Sequence, residues 1–476
     1  MSSYSTSSDK TFKRIQTWLE NCCASHASCQ SWQTTTDTLA GLPTRLIHIE
    51  ATPGSSIPTI RLVRGVDAST DRYATLSHCW GPNGVPTKLL LGSINDLSLQ
   101  IAWDTLPLTF REAILVAARL GIKYIWIDAL CIIQDSAPDW NIEASRMMQV
   151  YTNCYINISA DASTDGSGGL FRQRDPAMFQ SFPVPGDRTS KTNLYYCYSD
   201  NWYKYVEQTP LTKRSWVVQE RFMSPRVVHY SNDQVHWECR ELTTSESVHP
   251  SFEITPDNTA TPWKISNYVD FSIWYRLVHS YTEGQLTKIA DRPIAIAGLA
   301  RTFAHLLEME PSDYLCGLWR PKLVLELMWY TLHSTERTPL HIPSWSWLSV
   351  NGGVWMEGSM YCEPVAEIVE ARTASLGDPF GPVVSSSLRI RAPICRATFF
   401  QATDALDWDA SGRKYGYGIM LGQDKLREGL SFELILDERS PAFFERVLSQ
   451  DVFILLVQGG VFIDSESPAS TELSEE

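Results

Sequence analysis

Between Leu106 and Asp128 the sequence leaves the backbone little choice. Apolar residues at Phe110, Ala113, Ile114, Ala117 and Leu120 recur at the i, i+3, i+4, i+7 spacing of one helix face, and Gly121 stops the pattern. Thr109 stands where an N-cap is expected. Shortly afterwards comes Tyr124-Ile125-Trp126-Ile127-Asp128, an apolar run suited to a strand covered on both faces. Upstream, Tyr73–His78 reads as another strand, ended by Trp80-Gly81-Pro82-Asn83-Gly84. Strand, crossover helix and strand make a right-handed βαβ unit with the two strands adjacent and parallel. A helix from about Ile142 to Tyr151, a strand at Tyr155–Ser159, a helix at Ser215–Phe222 and a strand at Val227–Tyr230 continue the alternation. The central fold is expected to be α/β.

The rest of the chain sets limits on function. At 476 residues it is long enough for two or three units. The 40 Lys+Arg against 54 Asp+Glu give a net charge of −14, which argues against nucleic acid as a partner, because that affinity is largely cation-driven. MSSYSTSSDK at the start has no apolar core of a signal peptide, and no apolar run reaches the roughly 18 residues of a membrane span. A cytoplasmic location is expected, with the 11 cysteines reduced and unbridged. Cys22, Cys23, His26 and Cys29 have spacing compatible with metal ligation, but no second ligand pair is in sight, so packing is the expectation and no metal site is assigned.

Five stretches are expected. Residues 1–70 are an N-terminal amphipathic helix, Phe12 to Cys22, and a lead-in. Residues 71–240 are the α/β core. Residues 241–355 are a helical extension, with patterns at Trp274–Tyr281 and Ala295–Leu307, ending in the turn Pro343-Ser344-Trp345-Ser346-Trp347. Residues 356–462 alternate like strands, as in Ser387–Ala392 and Val452–Val457, and residues 463–476 form an acidic tail expected to be disordered.

Three blocks of residues resemble a known family. Tyr73-Ala74-Thr75-Leu76-Ser77-His78-Cys79-Trp80-Gly81 is similar to the opening motif of the fungal heterokaryon-incompatibility (HET) domain. So is Leu120 to Asp135, continuing through Asp139-Trp140, Glu143, Met147 and Tyr151, and so is Arg214-Ser215-Trp216-Val217-Val218-Gln219-Glu220-Arg221 with Trp237-Glu238-Cys239 after it. The flanks fit too, at Trp18-Leu19 with Cys22, His26 and Cys29, and at Gly317-Leu318-Trp319. The resemblance implies an intracellular fungal protein of non-self recognition and programmed cell death. It also implies a TIR-like core, a parallel sheet flanked by helices and extended by the helical and β-rich C-terminal regions.

NAD-cleaving TIR domains carry a glutamate in a late Trp-x-x-x-Glu helix, and Trp216 to Glu220 takes the corresponding place. The resemblance thus implies Glu220 as the catalytic carboxylate of an NAD glycohydrolase, with NAD as substrate and no cofactor required. Ser77, Trp80, Trp216 and Gln134 are the expected binding residues around it, bordered by His78 and Asp128. The competing structural reading pairs Glu220 with Arg214 or Arg221 and puts Trp216 in the core. A second constellation, Cys131 with His78 oriented by Asp128, has the make-up of an activated cysteine nucleophile for a small metabolite of fungal secondary metabolism. The apolar setting Leu130-Cys131-Ile132-Ile133 favours a buried, inert thiol. A third reading is a non-catalytic module that binds a protein partner or self-associates through the HET domain. Glu143 is expected to complement a helix N-terminus, and Gly166-Ser167-Gly168-Gly169-Leu170 to be a flexible linker.

Overall fold

The computed structural model divides into two compact units, residues 1–309 and 310–476. It describes residues 3–391 except 35–40, 52–53, 69–70, 180–181, 185–193, 197–201, 249–269, 332–335, 341, 357–362, 365 and 376, and beyond these 394–401, 417–421, 452–455 and 458–459. The acidic tail, Ala392, Leu456 and Val457 lie outside the described residues.

One sheet of eight strands organises the first unit. In chain order these are β1 (Arg45–Glu50), β2 (Thr59–Arg64), β3 (Tyr73–Ser77), β4 (Tyr124–Trp126), β5 (Ile156–Ser159), β6 (Arg226–Tyr230), β7 (Val235–Cys239) and β8 (Thr243–Ser245). Across the sheet they lie in the order β8-β7-β6-β5-β3-β4-β1-β2. The helices of this unit include α1 (Asp9–Ser25), α2 (Ala27–Thr34), α3 (Leu108–Arg119), α4 (Ala137–Thr152), α5 (Ser215–Met223), α6 (Phe271–Glu283) and α7 (Arg292–Leu306).

The expected βαβ unit is present. Tyr73 pairs with Tyr124 and Thr75 with Trp126 in parallel register, and α3 is the crossover between them. Every residue of β3 to β7 is buried, which is why these strands read as apolar runs rather than alternating ones. The sheet as a whole is mixed, not parallel. β6, β5, β3 and β4 form the parallel centre, while β1 and β2 on one side and β7 and β8 on the other run antiparallel to their neighbours. The pairs β1/β2, β6/β7 and β7/β8 are consecutive in the chain, and a short connection permits only an antiparallel return, whereas β1 meets β4 antiparallel across a long stretch of sequence. α4, α5 and α7 pack on one another, with Tyr151 of α4 edge-on to Trp126 of β4 at 5.7 Å. α1 meets β7 through Trp18 and Trp237, 6.1 Å apart.

Three local expectations are corrected. Pro107, not Thr109, takes the N-cap of α3. Thr109 is buried and its hydroxyl accepts from the Gly169 N–H at 3.1 Å. The 163–170 stretch is therefore a tied loop and not a linker: Thr109 N–H donates to Gly166 O at 3.0 Å, Ser163 Oγ to Gly169 O at 2.5 Å, and the Phe171 N–H to Glu112 at 2.8 Å. Third, α4 starts at Ala137, so Glu143 sits mid-helix, 1% exposed, facing Arg45 at 3.9 Å; Asp139 holds the first turn.

In the second unit the hairpin Tyr314–Leu315/Leu318–Trp319 carries the Trp-rich turn. Trp347 is fully buried and donates to Gly317 O at 2.8 Å, and Ser346 donates to Cys316 O at 2.5 Å. Gly317 has φ +95°, and a Cβ there would meet the Trp347 ring at 2.7 Å, so the turn admits only glycine. A long hairpin pairs Glu367–Ser375 with Val383–Arg391, and Ile394–Gln401 pairs with Tyr417–Leu421 and Val452–Leu455.

Candidate functional site

The parallel centre of the sheet, numbered in chain order, runs second, first, third, fourth. In such sheets ligands bind beyond the carboxyl ends of the strands, where the winding reverses between the first and third. Here that point lies between β3 and β5, whose last residues Ser77 and Ser159 are register partners.

His78 leaves β3 directly after Ser77. Its ring is 1% exposed, with Nε2 against Asp128 Oδ1 at 2.8 Å and Nδ1 against Cys79 O at 3.3 Å. Asp128 follows β4 and opens a one-turn helix, Asp128–Cys131, so the expected strand ends earlier, at Trp126. Its other oxygen accepts from Trp80 Nε1 at 2.8 Å, and Oδ1 also accepts from the Ala129 N–H at 2.6 Å. Burial pushes this carboxyl up, but the His78 imidazole, Arg214 and the Trp80 N–H outweigh it and hold the group at about 2. Trp80, half-buried, lies near-parallel to the His78 ring at 6.5 Å, with Lys88 Nζ 5.5 Å from its own ring. The next residue, Gly81, has φ +73°, and a Cβ there would meet Asp165 of the tied loop at 2.5 Å. Gln134 turns its amide back to Asp128 O and Ile132 O at 3.1 and 3.0 Å, holding the loop rather than facing outward.

Glu220 comes from α5. It is 3% exposed and makes no ion pair with Arg221, whose guanidinium goes to Glu238 at 2.8 Å. Ser77 and Tyr151 are the neighbouring hydroxyls that act on the Glu220 carboxyl, and Glu220 Oε2 has no hydrogen-bond partner. Ser77 Oγ is also bonded to the Asn157 amide, at 3.0 and 3.3 Å, and the Tyr151 hydroxyl donates to Leu76 O at 3.4 Å. Burial raises this carboxyl above its ordinary value, against the pull of Arg214 and Ser77, and the Asp128 charge adds to the rise. Arg214, at the N-cap of α5, donates to His78 O and so ties α5 to the end of β3. Trp216 is half-buried, not a core residue.

Two neighbouring carboxyls are thus driven apart, one kept ionised and the other held toward its neutral form, a pattern that separates acid–base roles in many active sites. Asp128 has both oxygens committed; Glu220 has one free.

Of the cysteine constellation, the expected orientation of His78 by Asp128 is present, at 2.8 Å, but no contact of Cys131 with that imidazole is found among the described residues. Both His78 ring nitrogens are taken by other groups, and the fully buried Cys131 thiol is pushed up to about 12 by burial. Burial in the apolar helix turn outweighs the downward pull of Arg45, which donates to the Cys131 carbonyl at 3.2 Å.

Sequence reasoning missed a buried polar chain at the same sheet edge. His229 of β6 pairs with Asp161 at 2.8 Å and Glu238 at 3.4 Å; Ser159 donates to Asp161 at 2.5 Å. The signal was there: His229 and Glu238 interrupt apolar strands in which every position is covered. Separately, Cys239 at the end of β7, far along the chain, joins Cys22, His26 and Cys29, where spacing alone offered Cys23 and no second ligand pair.

Residues 73–220, from the first residue of β3 to Glu220, match the family model described as Heterokaryon incompatibility protein (HET). No curated protein and no solved structure gave a match. Among the described residues no helix is long and apolar enough to cross a membrane.

Proposed function

We propose that this HET-domain protein acts in fungal heterokaryon incompatibility by cleaving NAD at the nicotinamide–ribose bond, with Glu220 as the reacting carboxyl and cell death as the outcome. The observation that carries the reading is Glu220 itself. It is a nearly fully buried carboxyl with an unpartnered oxygen, set against Ser77 at the reversal point of a doubly wound sheet.

The chemistry asks little else of the protein. The C–N bond breaks, its electron pair leaves with nicotinamide, and water adds to the ribosyl cation with release of one proton. An ionised Glu220 stabilises that cation and orients the ribose hydroxyls, and its field is stronger where water is excluded. Trp80 and Trp216, both half-buried, offer ring faces for a base or nicotinamide to stack on. Asp128 acts as a clamp, fixing His78 and Trp80. Glu220 must be ionised to act, so cleavage should rise with pH through its raised pKa. A self-associated form would bring several such sites together.

The test is NAD consumption by the purified full chain, followed as nicotinamide release. Stoichiometric conversion to nicotinamide and ADP-ribose supports the reading. No turnover across pH 5 to 9, at enzyme concentrations comparable with NAD, would leave Glu220 as a buried structural carboxyl and the domain as an interaction module.

A further inference from the structure

We propose that Cys22, His26, Cys29 and Cys239 bind one zinc ion that fastens the N-terminal helices to the sheet. Cys22 lies in the last turns of α1, His26 is the C-cap of that helix, Cys29 lies in α2, and Cys239 closes β7. One ligand atom from each falls within 4.8 Å of all the others. Tetrahedral zinc with Zn–S near 2.3 Å needs ligand atoms about 3.8 Å apart, so the four are already gathered to nearly the right size. His26 Nδ1 stands 3.3 Å from Cys239 Sγ, close to the spacing of two ligands on one ion.

The donor set selects the metal. Three sulfurs and one imidazole suit zinc, whereas calcium and magnesium require oxygen ligands. Four protein ligands leave no open position, which marks a structural site rather than a catalytic one. The surroundings agree on charge. Three thiolates on a divalent ion carry a net −1, and the buried Arg226 guanidinium donates to Cys22 Sγ at 3.2 Å and to Tyr155 O at 3.1 Å. A buried cation beside a sulfur fits a thiolate ligand better than a neutral thiol. The three cysteines are fully buried, so the ion would be shielded. The adjacent Cys23 is not part of the set; its sulfur lies 3.4 Å from the Tyr155 hydroxyl. Because the site joins α1 and α2 to a strand far along the chain, its binding energy is folding energy for the first unit.

The experiment is elemental analysis of the full chain, purified without a metal-affinity step. One zinc per chain is expected, retained in Cys23→Ser and reduced at least tenfold in Cys239→Ser. Cobalt exchanged into the wild-type protein should give the intense visible bands of tetrahedral thiolate coordination, a readout that does not depend on the variant folding. The proposal is overturned if the wild-type chain holds no zinc and takes up neither zinc nor cobalt. It is also overturned if Cys239→Ser keeps full zinc, or if denaturing, non-reducing thiol counts show two of the four joined as a disulfide.

Discussion

Asp128 commits one carboxylate oxygen to His78 and Ala129 and the other to Trp80. Asp128→Asn keeps the shape but turns one acceptor into a donor and removes the charge, and should cost about 1–3 kcal/mol at neutral pH. The sign with pH follows from its lowered pKa. Its contribution, about 2 kcal/mol, is present above the ordinary value of 3.8 and is lost as pH falls toward about 2. Urea unfolding at pH 7, 5 and 3 should show the gap between wild type and variant closing at the acid end; a constant gap contradicts the role. His229 works in the opposite sense. Burial alone would lower its imidazole, but Asp161 and Glu238 outweigh that and the net shift is upward. Its stabilisation is full below the unfolded-state value of about 6.5 and is lost as pH rises through the higher folded value. His229→Gln should therefore lower Tm more at pH 6 than at pH 9. An equal drop at both would mean that packing, and not charge, explains the residue.

At the scale of elements, Thr109 shows how a correct reading of a helix can misplace one residue's purpose. A threonine before an apolar periodic stretch is a sound N-cap signal, but Pro107 starts the helix and leaves the hydroxyl free to hold the 163–170 loop. Thr109→Val should leave α3 intact, raise amide exchange at residues 166–170 and cost about 1 kcal/mol. Unchanged protection there would separate the loop from this hydroxyl. The crossover helix, β3, β4, β5 and β6 were legible because burial on both faces and helical periodicity are written locally. The strands β1 and β2 were not read. Thr59–Arg64 does alternate, with Ile60 and Leu62 buried and Thr59 and Arg61 exposed, but the stretch is short and lies in a Thr/Pro/Gly-rich passage. Both strands take their place by pairing, β2 with β1 and β1 with β4. Likewise Cys131 and His78 arrive at one sheet end as expected, yet their side chains take different partners. Sequence gives the segment's destination and not the rotamer's.

For the whole molecule, chain topology brings together what spacing cannot. Ser77, Asp128, Tyr151 and Glu220 come from four separate segments, and only the winding of the sheet sets them at its reversal point. The same holds for Cys239 and the cysteines of α1 and α2, which no local pattern connects. A carboxyl buried with one oxygen unpartnered is a destabilising feature, and such features persist where function needs them. Glu220 makes this testable, because its raised pKa means that its ionised form is disfavoured in the folded chain. At neutral pH Glu220→Gln should leave Tm unchanged or raise it. The decisive measurement is nicotinamide release from NAD by wild type and Glu220→Gln side by side at matched folded concentration. A fall of about 100- to 1000-fold in kcat, with Tm preserved, is the expected result, the size seen when one preorganised electrostatic contact to a transition state is removed. Cleavage that survives in Glu220→Gln, or a variant that loses activity only because it unfolds, would contradict it.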